Sequence, residues 1–189
     1  MDKIKIQDDF LNKEQLDNCI NIVYDGKWNY KSNNFNSGNI FWTMDLLDNK
    51  YLNTITKIIG KKFSKTFKVN KLYATAQSYG QNENYHNDND NDNDDKYIFC
   101  LYINDIKKEL IENADGKIFF KFPNLEYNIC YEPLFNRGIL FPSNYINKSV
   151  SFSRDIVNLR LCIIWKLQET VEYEKKIDIQ EFQVIYKDV

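Results

Sequence analysis

The chain has 189 residues, 43% hydrophobic and 15% aromatic, with a formal net charge of −2 and a pI near 5.5. That length suits one buried core and is short for two, and the apolar content is too high for a disordered chain. The charge gives no general attraction to nucleic acid, and no window approaches the roughly 18 uninterrupted apolar residues of a membrane span.

The opening MDKIKIQDDF lacks the apolar core of a secretory signal. The four cysteines, Cys19, Cys100, Cys130 and Cys162, show no close paired spacing, and each sits among apolar or aromatic neighbours. Zinc and a disulfide frame are therefore not expected, and a reducing, cytoplasmic setting is.

Taken in chain order, the spacing predicts a first helix from Asn12 to Tyr24. Asn12 can cap it, Gln15 stands in capping-box position, and Leu16, Ile20 and Val23 form an apolar stripe with Cys19 beside them. The polar, Asn- and Ser-rich stretch after Trp28 reads as a loop. A second helix is expected from Asn49 to Ile59, with Leu52, Ile55 and Ile59 inward and Gly60 as its left-handed terminator.

After about Lys71 short apolar runs alternate with turns: Leu72 to Tyr79, Tyr97 to Asn104, Lys117 to Phe122, Tyr127 to Tyr131, Gly138 to Phe141 and Leu159 to Leu167. Strands at this spacing predict a β-sandwich or jelly roll. Glu181 to Tyr186 could add an edge strand or a helical tail. The expected organisation is one domain over 1–189: mainly helical support over 1–70, a jelly-roll core over 71–167 and an extension over 168–189. The near-perfect Asn/Asp alternation from Asn87 to Asp95 reads as a solvated loop. It lacks the central glycine and final glutamate of an EF-hand.

His86 is the only histidine, and Asp88 follows two residues later. On an extended segment these side chains point the same way, so an imidazole and a carboxylate could grip one metal from one side. Alone the pair is weak evidence, because the Asn/Asp run makes an aspartate there almost inevitable. Its surroundings carry more. The stretch KLYATAQSYGQNENYHND is an alternating strand, a Tyr-Gly turn and then the pair. Downstream come YIFCLYIND, ADGKIFF, NRGILFPSN and RLCIIWKL, and upstream DDFLNKEQLDN and Trp28.

This series resembles the Fe(II)/2-oxoglutarate-dependent dioxygenases of the prolyl-4-hydroxylase type, including those of phages and large DNA viruses. The resemblance implies a mostly β (α+β) fold, a double-stranded β-helix with packing helices on its N-terminal side. It implies His86 and Asp88 as iron ligands, and Arg160 as partner of the far carboxylate of 2-oxoglutarate, with Tyr79 and Tyr102 near that cosubstrate. The implied cofactors are Fe(II) and 2-oxoglutarate, with ascorbate as a candidate reductant. The implied partner is a protein, peptide or small-molecule substrate and not nucleic acid, acted on in the cytoplasm, or in a host cell or virion if the source is viral.

The pattern breaks at one place. In FPSNYINKSV, Asn147 stands where the family has its second iron-ligating histidine. An amide oxygen is a neutral, weaker ligand than imidazole. Three outcomes stay open: Asn147 ligates through oxygen, water fills the position, or the site is dead. The function expected from the resemblance is a hydroxylase coupling 2-oxoglutarate decarboxylation to substrate hydroxylation. The alternative is a catalytically degenerate jelly roll kept for binding or structure.

Overall fold

The computed structural model describes residues 3–32, 40–88, 96–106 and 108–170. Helix α1 (Lys13–Tyr24) starts where its cap predicts. Gln15 N donates to the Asn12 side chain at 2.9 Å, and Asn12 N donates to Gln15 Oε1 at 3.2 Å, which closes the capping box. Helix α2 (Lys50–Phe63) is capped by Asn49, which accepts from Leu52 N at 3.0 Å.

Gly60 does not end α2. The helix runs on to bury Phe63, and the left-handed cap is Ser64, with φ of 56°. Gly60 answers a different need. A Cβ there would lie 2.5 Å from the carbonyl oxygen of Lys65, whose N–H returns to Gly60 O.

The strands are β1 (Lys5–Gln7), β2 (Asn29–Ser32), β3 (Ile40–Asp45), β4 (Phe67–Gln77), β5 (Tyr97–Tyr102), β6 (Ile118–Lys121), β7 (Ile129–Tyr131), β8 (Gly138–Pro142), β9 (Ile146–Ser149) and β10 (Arg160–Glu169), with α3 (Lys108–Ala114) before β6. One sheet has the order β1-β8-β5-β10-β4-β3-β2, and a smaller one the order β7-β6-β9. Every pairing is antiparallel.

Period-two alternation sorts the large sheet into two faces. Leu72, Ala74, Phe99, Leu101, Leu161, Ile163 and Trp165 pack in one core with Leu16, Cys19 and Val23 of α1 and Leu52, Ile55 and Ile59 of α2. On the opposite face Ile98, Cys100, Tyr102, Ile139, Phe141 and Cys162 meet Ile118 and Phe120 of the small sheet. The protein is mostly β, with helices backing a two-sheet jelly roll, as the sequence leads one to expect. No helix among the described residues is long and apolar enough to cross a membrane.

Two expectations need correction. The polar stretch after Trp28 is not simply a loop, because β2 and β3 pair there and β3 extends the large sheet beside β4. Tertiary burial of Phe41, Thr43 and Met44 overrides the polar composition around them. Residues 1–70 accordingly contribute three strands besides their helices. The segments 89–95 and 181–186, the rest of the Asn/Asp run and the possible tail element, lie outside the described residues.

All four cysteines are free, and only Cys130 is exposed. Burial pushes the Cys19 thiol up to about 12. A native thiol titration with an aromatic disulfide reagent should therefore show one fast-reacting group, and the other three should react only on unfolding. A second fast thiol would contradict the burial of Cys19, Cys100 or Cys162.

Candidate functional site

Four separate parts of the chain converge between the two sheets. Residues 83–88 run alongside β9: Glu83 N donates to Ser149 O, His86 and Asn147 exchange both backbone hydrogen bonds, and Asp88 N donates to Ser143 O. This pairing fixes His86 and Asp88 beside Asn147. From the large sheet, β10 presents Arg160, Cys162 and Ile164 on one face, and β4 and β5 add Tyr73, Thr75, Cys100 and Tyr102. All of these line one cavity, whose interior open to water is about 40 Å³. That is room for a few waters and no more.

At the outer end, His86 Nε2 lies 3.9 Å from Asp88 Oδ2. His86 Nδ1 is 3.0 Å from Asn84 O, and since a carbonyl can only accept, Nδ1 carries the proton and Nε2 keeps a lone pair. Asn147 is 4% exposed. Its amide nitrogen donates to Asp88 Oδ2 and to Tyr145 O, each at 3.2 Å. Two acceptors on that side fix the amide with its N–H, not its oxygen, toward Asp88.

The fourth member was not anticipated from the sequence. Lys166, 7% exposed, places Nζ 3.2 Å from Asp88 Oδ1 and 3.3 Å from Asp88 O. Asp88 is thus held by an ammonium on one oxygen and an amide N–H on the other. The signal was present in RLCIIWKL: Lys166 is an even number of residues from Arg160 on one strand, so both cations face the same way.

At the inner end, Arg160 is 2% exposed. Its Nε donates to Gly116 O at 2.7 Å, Nη1 to Gln77 Oε1 at 2.8 Å and Nη2 to the Tyr102 hydroxyl at 3.3 Å, with the guanidinium over the Tyr102 ring. Gln77 Oε1 also accepts from Ser149 Oγ, and Ser149 donates through N and Oγ to Glu83 Oε2. Burial holds the Tyr102 phenol well above its ordinary range. A hydrogen bond to Cys162, reinforced by burial, does the same for the Cys100 thiol.

Of the residues singled out in the sequence, His86, Asp88, Asn147, Arg160 and Tyr102 meet in this cavity. Tyr79 does not. It is 68% exposed in the turn closed by Gln81 N to Ser78 O, which swings its ring into solvent. Among the described residues no three His, Cys, Asp or Glu side chains gather as a metal cluster.

No family model matches the sequence, and no curated protein is significantly similar to it. Solved structures are similar in fold. A prolyl-4-hydroxylase of Pseudomonas putida superposes with a TM-score of 0.62 at 14% identity, covering 89% of this chain and 93% of that one. The viral collagen prolyl hydroxylase of Paramecium bursaria Chlorella virus-1, solved with 2OG, gives 0.61 at 13% identity over 90% and 97%. An oxidoreductase of the 2OG-Fe(II) oxygenase family from Burkholderia pseudomallei gives 0.67 at 8% identity over 87% and 85%. The likeness spans nearly the whole of each chain, and the protein has the fold of the 2OG-Fe(II) oxygenases.

Proposed function

We propose that this chain is an oxygenase-fold protein whose metal centre has been lost, retained as a catalytically silent binding or structural module. The orientation of Asn147 carries this reading. A facial iron site needs three lone pairs converging on one point. Here the third position offers an N–H donor, held toward Asp88 by the carbonyl of Tyr145. Turning the amide over would set its oxygen against a carboxylate and a carbonyl. The residues present therefore do not fit Fe(II) as a three-ligand centre. The cosubstrate end agrees: Arg160 already donates to three protein acceptors, and the cavity is smaller than a ketodicarboxylate.

The direct test is anaerobic Fe(II) titration of the wild-type protein by calorimetry, paired with succinate release from 2-oxoglutarate in air. No saturable Fe(II) binding in the micromolar range and no succinate above the protein-free rate are expected. Saturable binding with sustained succinate release overturns the reading.

A second reading has its own observation. His86, with its Nε2 lone pair, Asp88 and Arg160 all line one cavity. On that reading the chain is a working Fe(II)/2-oxoglutarate dioxygenase that hydroxylates a peptide or small molecule. Its site would be His86, Asp88 and Asn147 for the metal and Arg160 and Tyr102 for the cosubstrate, with ascorbate keeping the iron reduced. The peptide as substrate class comes from relatives in fold, among them a prolyl hydroxylase of Trichoplax adhaerens solved with a hypoxia inducible factor peptide.

A further inference from the structure

We infer that Lys166 is the resident cation of this pocket: its ammonium holds, against Asp88, the place of a divalent metal and keeps such metals out. The inference rests on the reading of the pocket as a former metal centre and names what fills it. Three observations carry it. The first is geometry, since Nζ reaches both Oδ1 and the main-chain oxygen of Asp88, a two-point grip on the carboxylate that sits beside His86. The second is burial. Lys166 and the Asp88 side chain are both largely removed from water, and a buried ammonium or carboxylate persists only when compensated.

The third observation is strand register. Lys166 pairs with Lys71 on β4 and with Ile98 on β5, so its neighbours along the sheet supply a like charge and an apolar side chain. Its place on the cavity side is offset by Asp88 across the gap, not by the sheet that carries it. A metal ion entering between His86 and Asp88 would have to displace one positive charge with another, and Lys166 would then be left facing that metal. The pair Lys166 and Asn147 together account for both oxygens of Asp88.

The experiment compares wild type, Asn147→His, Lys166→Met and the Asn147→His/Lys166→Met double variant, titrated with Co(II) alone by calorimetry and by the visible absorption of the bound ion. If Lys166 excludes metal, the double variant binds Co(II) at least about tenfold more tightly than Asn147→His, the scale of changes around a metal ligand. Equal affinities in those two variants overturn the role of Lys166 while leaving the silent-module reading intact. Tight Co(II) binding by wild type, not improved by Lys166→Met, overturns both.

Folding is controlled by a second arm. Lys166→Met strands Asp88, so its unfolding midpoint should fall, and Asp88→Asn added to it should recover most of that fall. A double variant no more stable than Lys166→Met shows that the two charges are not partners, and the inference fails.

Discussion

Truncating Trp165 to alanine should lower the unfolding free energy by about 3–5 kcal/mol, the usual cost of emptying a large aromatic site in a core. Trp165 has no exposed surface and stands in the middle of β10, directly between Leu72 of β4 and Phe99 of β5. Its ring lies 5.5 Å from that of Phe99, which in turn packs against Phe10 and Phe63. It therefore ties the sheet to both the N-terminal segment and α2. Urea unfolding is the measurement, with a fall in midpoint at unchanged slope as the expected result. Trp165→Phe is the informative companion. The indole Nε1 is buried without a hydrogen-bond partner, a cost of roughly 1–3 kcal/mol that phenylalanine removes along with part of the ring volume. The phenylalanine variant should thus lose much less than the alanine variant. Equal losses would show that Nε1 has found a partner, such as a bound water.

What the sequence made legible follows from local rules. Asn12 with Gln15 and Asn49 with its following apolar stripe mark helix starts by chemistry that acts within one turn, and both starts fall where those residues place them. The alternation in RLCIIWKL and YIFCLYIND marks buried strands, and both run through the centre of the large sheet. Misreadings arise where distant contacts decide. Gly60 is a good terminator in isolation, but Phe63 has a core to enter, and that carries α2 through another turn. β2 and β3 are polar in composition and become strands because β4 offers an open edge.

The site divides the same way. The positions of His86, Asp88 and Asn147 could be read from the pair and from the return strand after FPSN, because sheet register converts those spacings into proximity. What the side chains do there could not. The direction of the Asn147 amide depends on Tyr145 O, and the state of Asp88 depends on a lysine far along the chain. Tyr79 fails for a related reason: its turn is closed by main-chain geometry that no side-chain pattern announces.

Arg160→Met should be the second large loss, about 2–4 kcal/mol, and it separates a structural guanidinium from a ligand-binding one. Removing the side chain strips a donor from Gly116 O, Gln77 Oε1 and the Tyr102 hydroxyl, where an unsatisfied buried acceptor costs roughly 1–3 kcal/mol. The losses do not simply add. Gln77 Oε1 keeps the Ser149 hydroxyl, the Tyr102 hydroxyl can rotate, and burying a guanidinium was itself unfavourable. Gly116 O has no such substitute among these groups, and the bond from Arg160 Nε holds the turn leading into β6. Arg160→Lys keeps the charge but cannot reach three acceptors in one plane, so it should recover only part of the loss. Each variant is to be unfolded with urea and then titrated with 2-oxoglutarate by calorimetry. The silent-module reading expects a stability loss and no binding heat in wild type or variant. A wild type that binds 2-oxoglutarate, and an Arg160→Met variant that loses binding while unfolding at the wild-type midpoint, would show that Arg160 is held for a ligand and not for the fold, and the working-oxygenase reading would then take precedence.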